Sequence, residues 1–189
     1  MILVIDTSSS KAVLAGIDGR RRDELAFNVR ETTLRMHFPH FVGGRPVDRV
    51  AVATGPGSFT GLRVGVAFGL GLAIGLGVPI VPLPSLDLQA ARSRRPATAV
   101  VDAGRGRFYY QVPGHRPALG DPAGIPTSHP LVGNIGDRHR LVAAGHRFVP
   151  ETGLRRFADA ARILLETAGE VPYRNLEIEY MQSFSAERK

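Results

Sequence analysis

The stretch RVAVATGPGSFTG, residues 49–61, decides which fold the rest of the chain can adopt. Residues 49–54 are typical of a β-strand. The Gly55-Pro56-Gly57 triplet predicts a turn, because glycine permits backbone angles that other residues resist and proline fixes one φ angle. The glycine-rich apolar run 62–77 predicts a helix, which Ser58 can cap through its hydroxyl. The stretch therefore predicts a strand–turn–helix junction.

This junction has two interpretations. The unpaired N–H groups at the start of a helix suit an anion. However, the lysine of the G-x-x-x-x-G-K-[ST] phosphate loop is missing, and the segment does not match G-x-G-x-x-G. Residue chemistry alone favours a structural turn over an anion-binding loop.

The flanking sequence contains a faint repeat. MILVID, residues 1–6, and ATAVVD, residues 97–102, are apolar strand-like runs that end in aspartate. Each is followed by turn-prone residues, a basic residue and a second apolar run. In the first unit, the predicted order of strand, strand, strand, helix, strand, helix, strand is that of a ribonuclease H-like lobe of the actin superfamily, an α/β architecture with helices on both faces of a mixed sheet.

Taken whole, GPGSFTGLRVG, residues 55–65, resembles the signature of the TsaB (YeaZ) family. ILVIDTS, residues 2–8, and PIVPLPSL, residues 79–86, are also similar to that family. The resemblance is strong over residues 1–112 and weak from there to residue 173. At the tail, EYMQ, residues 179–182, stands where the family tends to carry a Tyr-Leu-Arg segment, and Met181 and Gln182 depart from it.

The resemblance implies an actin-like (ASKHA) α/β fold of duplicated ribonuclease H-like lobes, the second of them shortened. It implies an N-terminal lobe with dimerisation helices at residues 1–93 and a C-terminal lobe at residues 94–189. Within the second lobe, we predict a loop at 113–129, a short strand at 141–145 and an amphipathic helix at 156–168.

The resemblance also implies a function in the cytoplasm. The family member is the non-catalytic subunit that binds and activates TsaD for N6-threonylcarbamoylation of adenosine 37 in tRNA (t6A). The implied partners are a TsaD-like catalytic subunit, a second copy of the chain when it is alone, and a TsaE-like ATPase, with tRNA reached through the complex. No cofactor is implied for the isolated chain, although a nucleotide could lie at the interface with TsaD, and a residual ATPase activity is left open.

The predicted glycine helix carries the sharpest inference about a surface. Each glycine inside a helix costs about 0.5–1 kcal/mol relative to alanine, so close packing must offset the loss. The helix either lies tightly on its own sheet or also receives a partner helix, and the resemblance favours the second because this helix belongs to the family's dimerisation surface. The predicted partner interface comprises Gly61, Val64, Gly65, Phe68, Gly69, Gly71, Leu72 and Gly75.

The acids of the repeat suggest a vestigial phosphate or metal cleft. In the actin-like superfamily, acids at these bends face each other across a cleft and position a metal–phosphate group. The alternative, which we favour, is that each carboxylate accepts backbone hydrogen bonds within its turn. The residues predicted for the cleft are Asp6, Thr7, Ser8 and Asp102.

The sequence predicts no catalytic and no metal-binding residues. His37 and His40 are separated by Pro39 and lack an identifiable third ligand. Ser58 is not in a G-x-S-x-G motif. Two other functions compete with the one that the resemblance implies. The first is a small actin-like ATP-dependent phosphotransferase that uses Asp6 to bind metal. The second is an RNA-binding module that uses the arginine surface.

The amino-acid composition limits the classes of function that the chain can have. The chain has 189 residues, of which 43% are hydrophobic, and no cysteine, which excludes disulfides and thiolate chemistry. The net charge of +7 favours RNA or an acidic partner, although the basic residues are scattered and are not interleaved with aromatic ones. Residues 64–86 are uncharged, but five glycines and three prolines interrupt them, so we expect no membrane span.

Overall fold

The computed structural model describes residues 1–28, 34–136 and 138–181. The first half of the chain forms a five-stranded sheet in the order β3-β2-β1-β4-β5. Its strands are β1 (Ile2–Asp6), β2 (Lys11–Asp18), β3 (Arg21–Asn28), β4 (Arg49–Gly55) and β5 (Ile80–Pro84). The pairs β1–β2 and β2–β3 are antiparallel, whereas β4 lies parallel between β1 and β5.

Alternating side chains of this sheet face two different layers of helix. On one face, Leu3 and Ile5 pack with helices α1 (Leu34–Val42) and α2 (Phe59–Leu76). On the other face, Val4 packs with α3 (Ser85–Ala90) and α5 (Phe157–Leu165). The parallel strands β4 and β5 are buried on both faces, as expected for strands covered by helices on each side. The predicted mixed sheet with helices on both faces is confirmed.

The second sheet repeats the first in a shortened form. Its order is β8-β7-β6-β9, and its strands are β6 (Thr98–Gly104), β7 (Arg107–Gln111), β8 (Ala118–Gly120) and β9 (Leu131–Val132). β6 pairs antiparallel with β7 and parallel with β9, just as β1 pairs with β2 and β4. The repeat read from residues 1–6 and 97–102 therefore corresponds to the equivalent central strands β1 and β6.

The last part of the chain returns to the first sheet. Ala158 at the start of α5 donates its backbone N–H to Glu24 Oε2 on β3 at 3.0 Å. Farther along, the Val171 N–H bonds to Ile80 O at 3.0 Å and the Glu179 N–H to Thr54 O at 2.8 Å. The C-terminal part of the chain thus bonds to β3, β4 and β5 of the first sheet.

Two local predictions for the second lobe are wrong. Residues 141–145 do not form a strand, because His139–Ala143 is a helix, α4, in which Leu141 is buried. The segment 113–129 is not all loop, since it holds β8 and a short 3-10 turn, Pro122–Gly124. The predicted late helix is present as α5, and Gln182 of the tail lies outside the described residues.

Within the described residues, α2 alone is long and apolar enough to pass a test for a membrane span by length and composition. A core helix can pass the same test. α2 connects β4 to β5 and buries Leu62, Val66 and Ala73 against the sheet between them. Its apolar composition is therefore explained in part by packing inside the fold.

Candidate partner surface and interlobe cleft

The predicted junction before α2 is built by close contacts with the end of β1. Ser58 caps α2, and its side chain accepts the Gly61 N–H at 3.2 Å. The Ser58 N–H in turn bonds to Ser8 O at 2.7 Å. A Cβ on Gly57 would lie 2.5 Å from the same Ser8 oxygen, so the turn needs glycine there for close approach.

The inner face of α2 lies directly on the chain's own sheet. A Cβ added to Gly61 would collide with Thr7 O, and one added to Gly65 would collide with Thr7 Oγ1. A Cβ on Gly69 would collide with the Val52 side chain. These three predicted interface glycines are buried, and each allows the helix to approach strands β1 and β4.

The outer face of α2 is exposed and largely apolar. Among the described residues, no atom lies within 4 Å of a Cβ placed on Gly71 or on Gly75. Val64 is 45% exposed and Ile74 54% exposed. Phe68 and Leu72 are half-buried at the edge of this face. Ile74 was missed by the sequence analysis, although it lies three residues after Gly71 and therefore on the same helical face.

Helix α1 lies beside α2 through an aromatic contact. The rings of Phe38 and Phe68 meet edge to face with centroids 5.5 Å apart. Met36 on α1 is 61% exposed. Helices α1 and α2, which cover the same face of the sheet, thus both carry large exposed apolar side chains. Such a surface is typical of a site of interaction with another protein.

An open cleft of about 600 Å³ lies between the two strand–turn–strand units. One wall is formed by Ser9, Ser10 and the first turn of α2, Ser58 to Gly61. The other wall is formed by the end of β6, Asp102 to Gly104. The structure therefore brings Asp102, but not the Asp6 side chain, to the lining of this cleft.

Asp6 is fully buried beneath the cleft. Its Oδ1 accepts the Ser8 N–H at 2.8 Å, and its Oδ2 accepts the Gln89 amide N–H at 3.3 Å. Burial raises the pKa of the Asp6 carboxyl above its ordinary value, and the hydrogen bonds and the charge of Arg92 oppose this only in part. A carboxylate held in this way is poorly placed to meet a hydrated metal.

Asp102 repeats the local geometry of Asp6. Its Oδ1 accepts the Gly104 N–H at 2.6 Å, two residues along the chain as for Asp6 and Ser8. Of the other predicted cleft residues, Thr7 donates its hydroxyl to Gly61 O at 2.7 Å, and Ser8 is buried and donates its backbone N–H to Asp6. Both acids thus make the turn-stabilising bond that the sequence analysis favoured.

His37, one of the two histidines considered as metal ligands, lies against an aromatic ring. The His37 ring packs against Phe27 with centroids 4.2 Å apart. Across residues 1–28, 34–136 and 138–181, no group of three or more His, Cys, Asp or Glu side chains could hold a metal ion.

Comparisons with known proteins agree with this architecture. Residues 42–118 match the family model of TsaD, tRNA N6-adenosine threonylcarbamoyltransferase. The tRNA threonylcarbamoyladenosine biosynthesis protein TsaB of Bacillus subtilis (strain 168) is 39% identical over 66 residues, which are 33% of this chain and 29% of that protein. The uncharacterized protein ML0378 of Mycobacterium leprae (strain TN) is 36% identical over 86 residues, 42% of this chain and 23% of that protein.

The fold is similar to that of a solved structure. YeaZ from Pseudomonas aeruginosa superposes with a TM-score of 0.70 at 18% identity, covering 95% of this chain and 99% of that one. The resemblance to the TsaB (YeaZ) family is confirmed. The TsaB-like chain has the predicted actin-like α/β fold with two sheets. The sequence matches to the two curated relatives span about a quarter of their lengths.

Proposed function

We propose that this TsaB-like chain is the non-catalytic partner subunit of a TsaD-type enzyme that threonylcarbamoylates adenosine 37 of tRNA. The observation that carries the proposal is the outer face of α2, where Val64 and Ile74 are exposed and no described residue lies over Gly71 or Gly75. An apolar helix face with small residues admits a second helix at close range.

The proposed interface has two layers. Val64, Phe68, Gly71, Leu72 and Gly75 face outward or line the edge of the exposed face and would contact the partner directly. Gly61, Gly65 and Gly69 lie behind them and set the height of α2 above the sheet. When the chain is alone, a second copy covers the same face, which gives a homodimer; the catalytic subunit replaces it in the heterodimer.

The chemistry is assigned to the TsaD-like subunit. On its own the chain is proposed not to be an enzyme, because Asp6 is buried and bonded within its turn instead of facing the cleft. The cleft that Asp102 lines is the proposed remnant of a phosphate site, and a nucleotide could lie there or at the interface with TsaD. The proposal also includes a TsaE-like ATPase as a further partner and a cytoplasmic location. It divides the chain into an N-terminal lobe at residues 1–93 and a C-terminal lobe at residues 94–189.

Co-expression with the TsaD of the same organism tests the assignment. Size-exclusion chromatography with light scattering should give a stable heterodimer, and the chain alone should give a homodimer. Gly71→Leu should weaken both, since it places a large side chain on the outer face. Gly169→Leu is the matched control, because Gly169 is also open to solvent but lies in a loop outside α2. A chain that stays monomeric and does not retain TsaD contradicts the proposal.

A further inference from the structure

The positive charge of this chain is concentrated in its middle third. Residues 92–150 carry nine arginines and three acidic residues. The preceding 91 residues carry nine basic and seven acidic side chains, and residues 151–189 carry six basic and seven acidic ones. Nearly all of the net charge of +7 therefore belongs to the segment that contains the second sheet.

These central arginines form no ion pair with a carboxylate of the described residues. In the described residues, six arginines form ion pairs with carboxylates, and all six lie outside residues 92–150. The central arginines other than Arg92 are exposed. Exposed, unpaired charges of one sign repel each other, so their retention on one lobe is better explained by an anionic partner than by stability.

Three of these arginines lie on or against the β6–β7 hairpin, next to the interlobe cleft. Arg105 is in the turn between β6 and β7 and Arg107 is the first residue of β7, and the turn follows directly on the residues of β6 that line the cleft. The guanidinium of Arg140, which belongs to α4, lies against Gly106 in that turn, where any Cβ would collide with it. Gly106 has a φ of +74° and thus admits both the turn and the arginine.

The opposite rim of the cleft carries an arginine in contact with two aromatic side chains. The Arg63 guanidinium carbon lies 3.8 Å from the centroid of the Phe59 ring, and Arg63 Nε donates to the Tyr180 hydroxyl at 3.1 Å. Phe59 and Tyr180 are 41% and 44% exposed, and Phe59 also lines the cleft. Aromatic rings and stacked guanidinium groups are the surfaces on which unpaired bases stack.

We propose that this cleft rim binds the sugar–phosphate backbone of a nucleic acid, with Arg105, Arg107 and Arg140 on the phosphates and the Phe59–Arg63–Tyr180 cluster beside the bases. Guanidinium groups bind phosphate and carboxylate oxygens alike. The exposed aromatic rings on the opposite rim, on which bases can stack, favour a nucleic acid over an acidic protein. That the nucleic acid is RNA rests on the proposed function, in which the complex acts on tRNA. The chain then adds a direct RNA contact to its role as a partner of TsaD.

The test uses the full chain and fluorescence anisotropy with a labelled tRNA transcript, titrated at several salt concentrations. The variant Arg105→Gln/Arg107→Gln/Arg140→Gln removes the rim charges, and Arg94→Gln/Arg95→Gln/Arg147→Gln removes the same number of exposed charges elsewhere in the lobe. The rim variant should bind more weakly and lower the slope of log K against log salt by about 2, since each phosphate contact contributes about 0.7–0.9. The control variant should keep most of the slope.

Several outcomes overturn the inference. Equal losses in the two variants mean that net charge alone attracts the RNA, and no loss in either means that the rim is not used. Binding of poly-glutamate with the same dependence on the three rim arginines points instead to an acidic protein. A DNA duplex of equal length that binds as tightly as tRNA removes the assignment to RNA. Because the TsaD subunit is absent from this assay, its result is independent of whether the heterodimer forms.

Discussion

Gly65 of α2 lies directly over the side chain of Thr7, so that a Cβ on Gly65 would collide with Thr7 Oγ1. The same hydroxyl donates a 2.7 Å hydrogen bond to Gly61 O, one helical turn earlier. Thr7 thus ties the end of β1 to the first turns of α2, and the absence of a side chain at residue 65 is what lets the helix come close enough. This contact fixes the position of the proposed partner surface relative to the sheet.

Gly65→Ala should destabilise the protein by about 1–3 kcal/mol, because the new methyl group is forced into a packed contact. Denaturant unfolding measures the loss. In the Thr7→Ala/Gly65→Ala double variant the collision is removed, so the effects of the two substitutions should not add. Additive losses would show that Thr7 and Gly65 do not constrain each other.

Gly69→Leu and Gly71→Leu should fail in different ways, although the two residues are separated by a single position. A side chain at residue 69 would be driven into Val52, so the first variant should lose stability or not fold. Residue 71 is open, so the second variant should remain folded but become monomeric and retain less TsaD. Circular dichroism and light scattering separate these results, and a stable Gly71→Leu dimer would place the interface elsewhere.

The stability of the chain should depend on the ionisation of Asp6. The ordinary pKa of an aspartate is 3.8, and burial raises the pKa of Asp6 in the folded state. Between these two pKa values, the folded chain keeps a proton that the unfolded chain has released. The stabilisation from this proton is full below the unfolded pKa and is lost as pH rises through the folded pKa. Asp6→Asn should therefore gain melting temperature relative to the natural protein as pH is raised.

Melting temperatures at pH 3, below the ordinary pKa of 3.8, and at pH 8 measure the effect of Asp6→Asn. Asp18→Asn is the control because Asp18 is exposed. The change in melting temperature caused by Asp6→Asn should be more favourable at pH 8. The difference should be about 3 °C for each kcal/mol of unfolding free energy that the ionised Asp6 carboxylate costs. An identical effect of Asp6→Asn at the two pH values would show that the carboxyl does not titrate in this range.

In a strain that lacks the gene, t6A should be missing from tRNA, and copies carrying Asp6→Asn or Asp102→Asn should largely restore it. A subunit that acts through the outer face of α2 does not need these carboxylates. Mass spectrometry of tRNA nucleosides gives the result. Full modification in the deletion strain contradicts the proposed function, whereas failure of well-folded Asp variants would give the chain a chemical role.

Phe157→Ala should cost about 3–5 kcal/mol, since the ring is buried between α5 and the first sheet and its loss leaves a cavity. Val142→Ala on α4 is the control, because Val142 is 56% exposed and its truncation should change stability by no more than about 0.5 kcal/mol. Equal effects in urea unfolding would mean that α5 does not stabilise the first sheet.

Features that depend on neighbouring residues could be predicted from the amino-acid pattern. The strand–turn–helix at residues 49–61, the Ser58 cap and the repeat of β1 in β6 were all predictable, because periodicity, turn chemistry and capping act over a few residues. The local bonds of Asp6 and Asp102 within their turns belong to the same class. Short apolar runs are ambiguous, and residues 141–145 were misread for that reason, since helix and strand share such runs.

The surfaces that these elements present depend on long-range packing and could not be predicted in the same way. All the α2 glycines look alike in sequence, yet Gly61, Gly65 and Gly69 face the sheet while Gly71 and Gly75 face outward, because the register of the helix on β1 and β4 sets the direction of each residue. The same holds for Arg140, which reaches the turn at Gly106 from a helix more than thirty residues later. The full burial of Asp6 and the position of half-buried Asp102 at the cleft also arise from packing between distant segments, which local pattern does not encode.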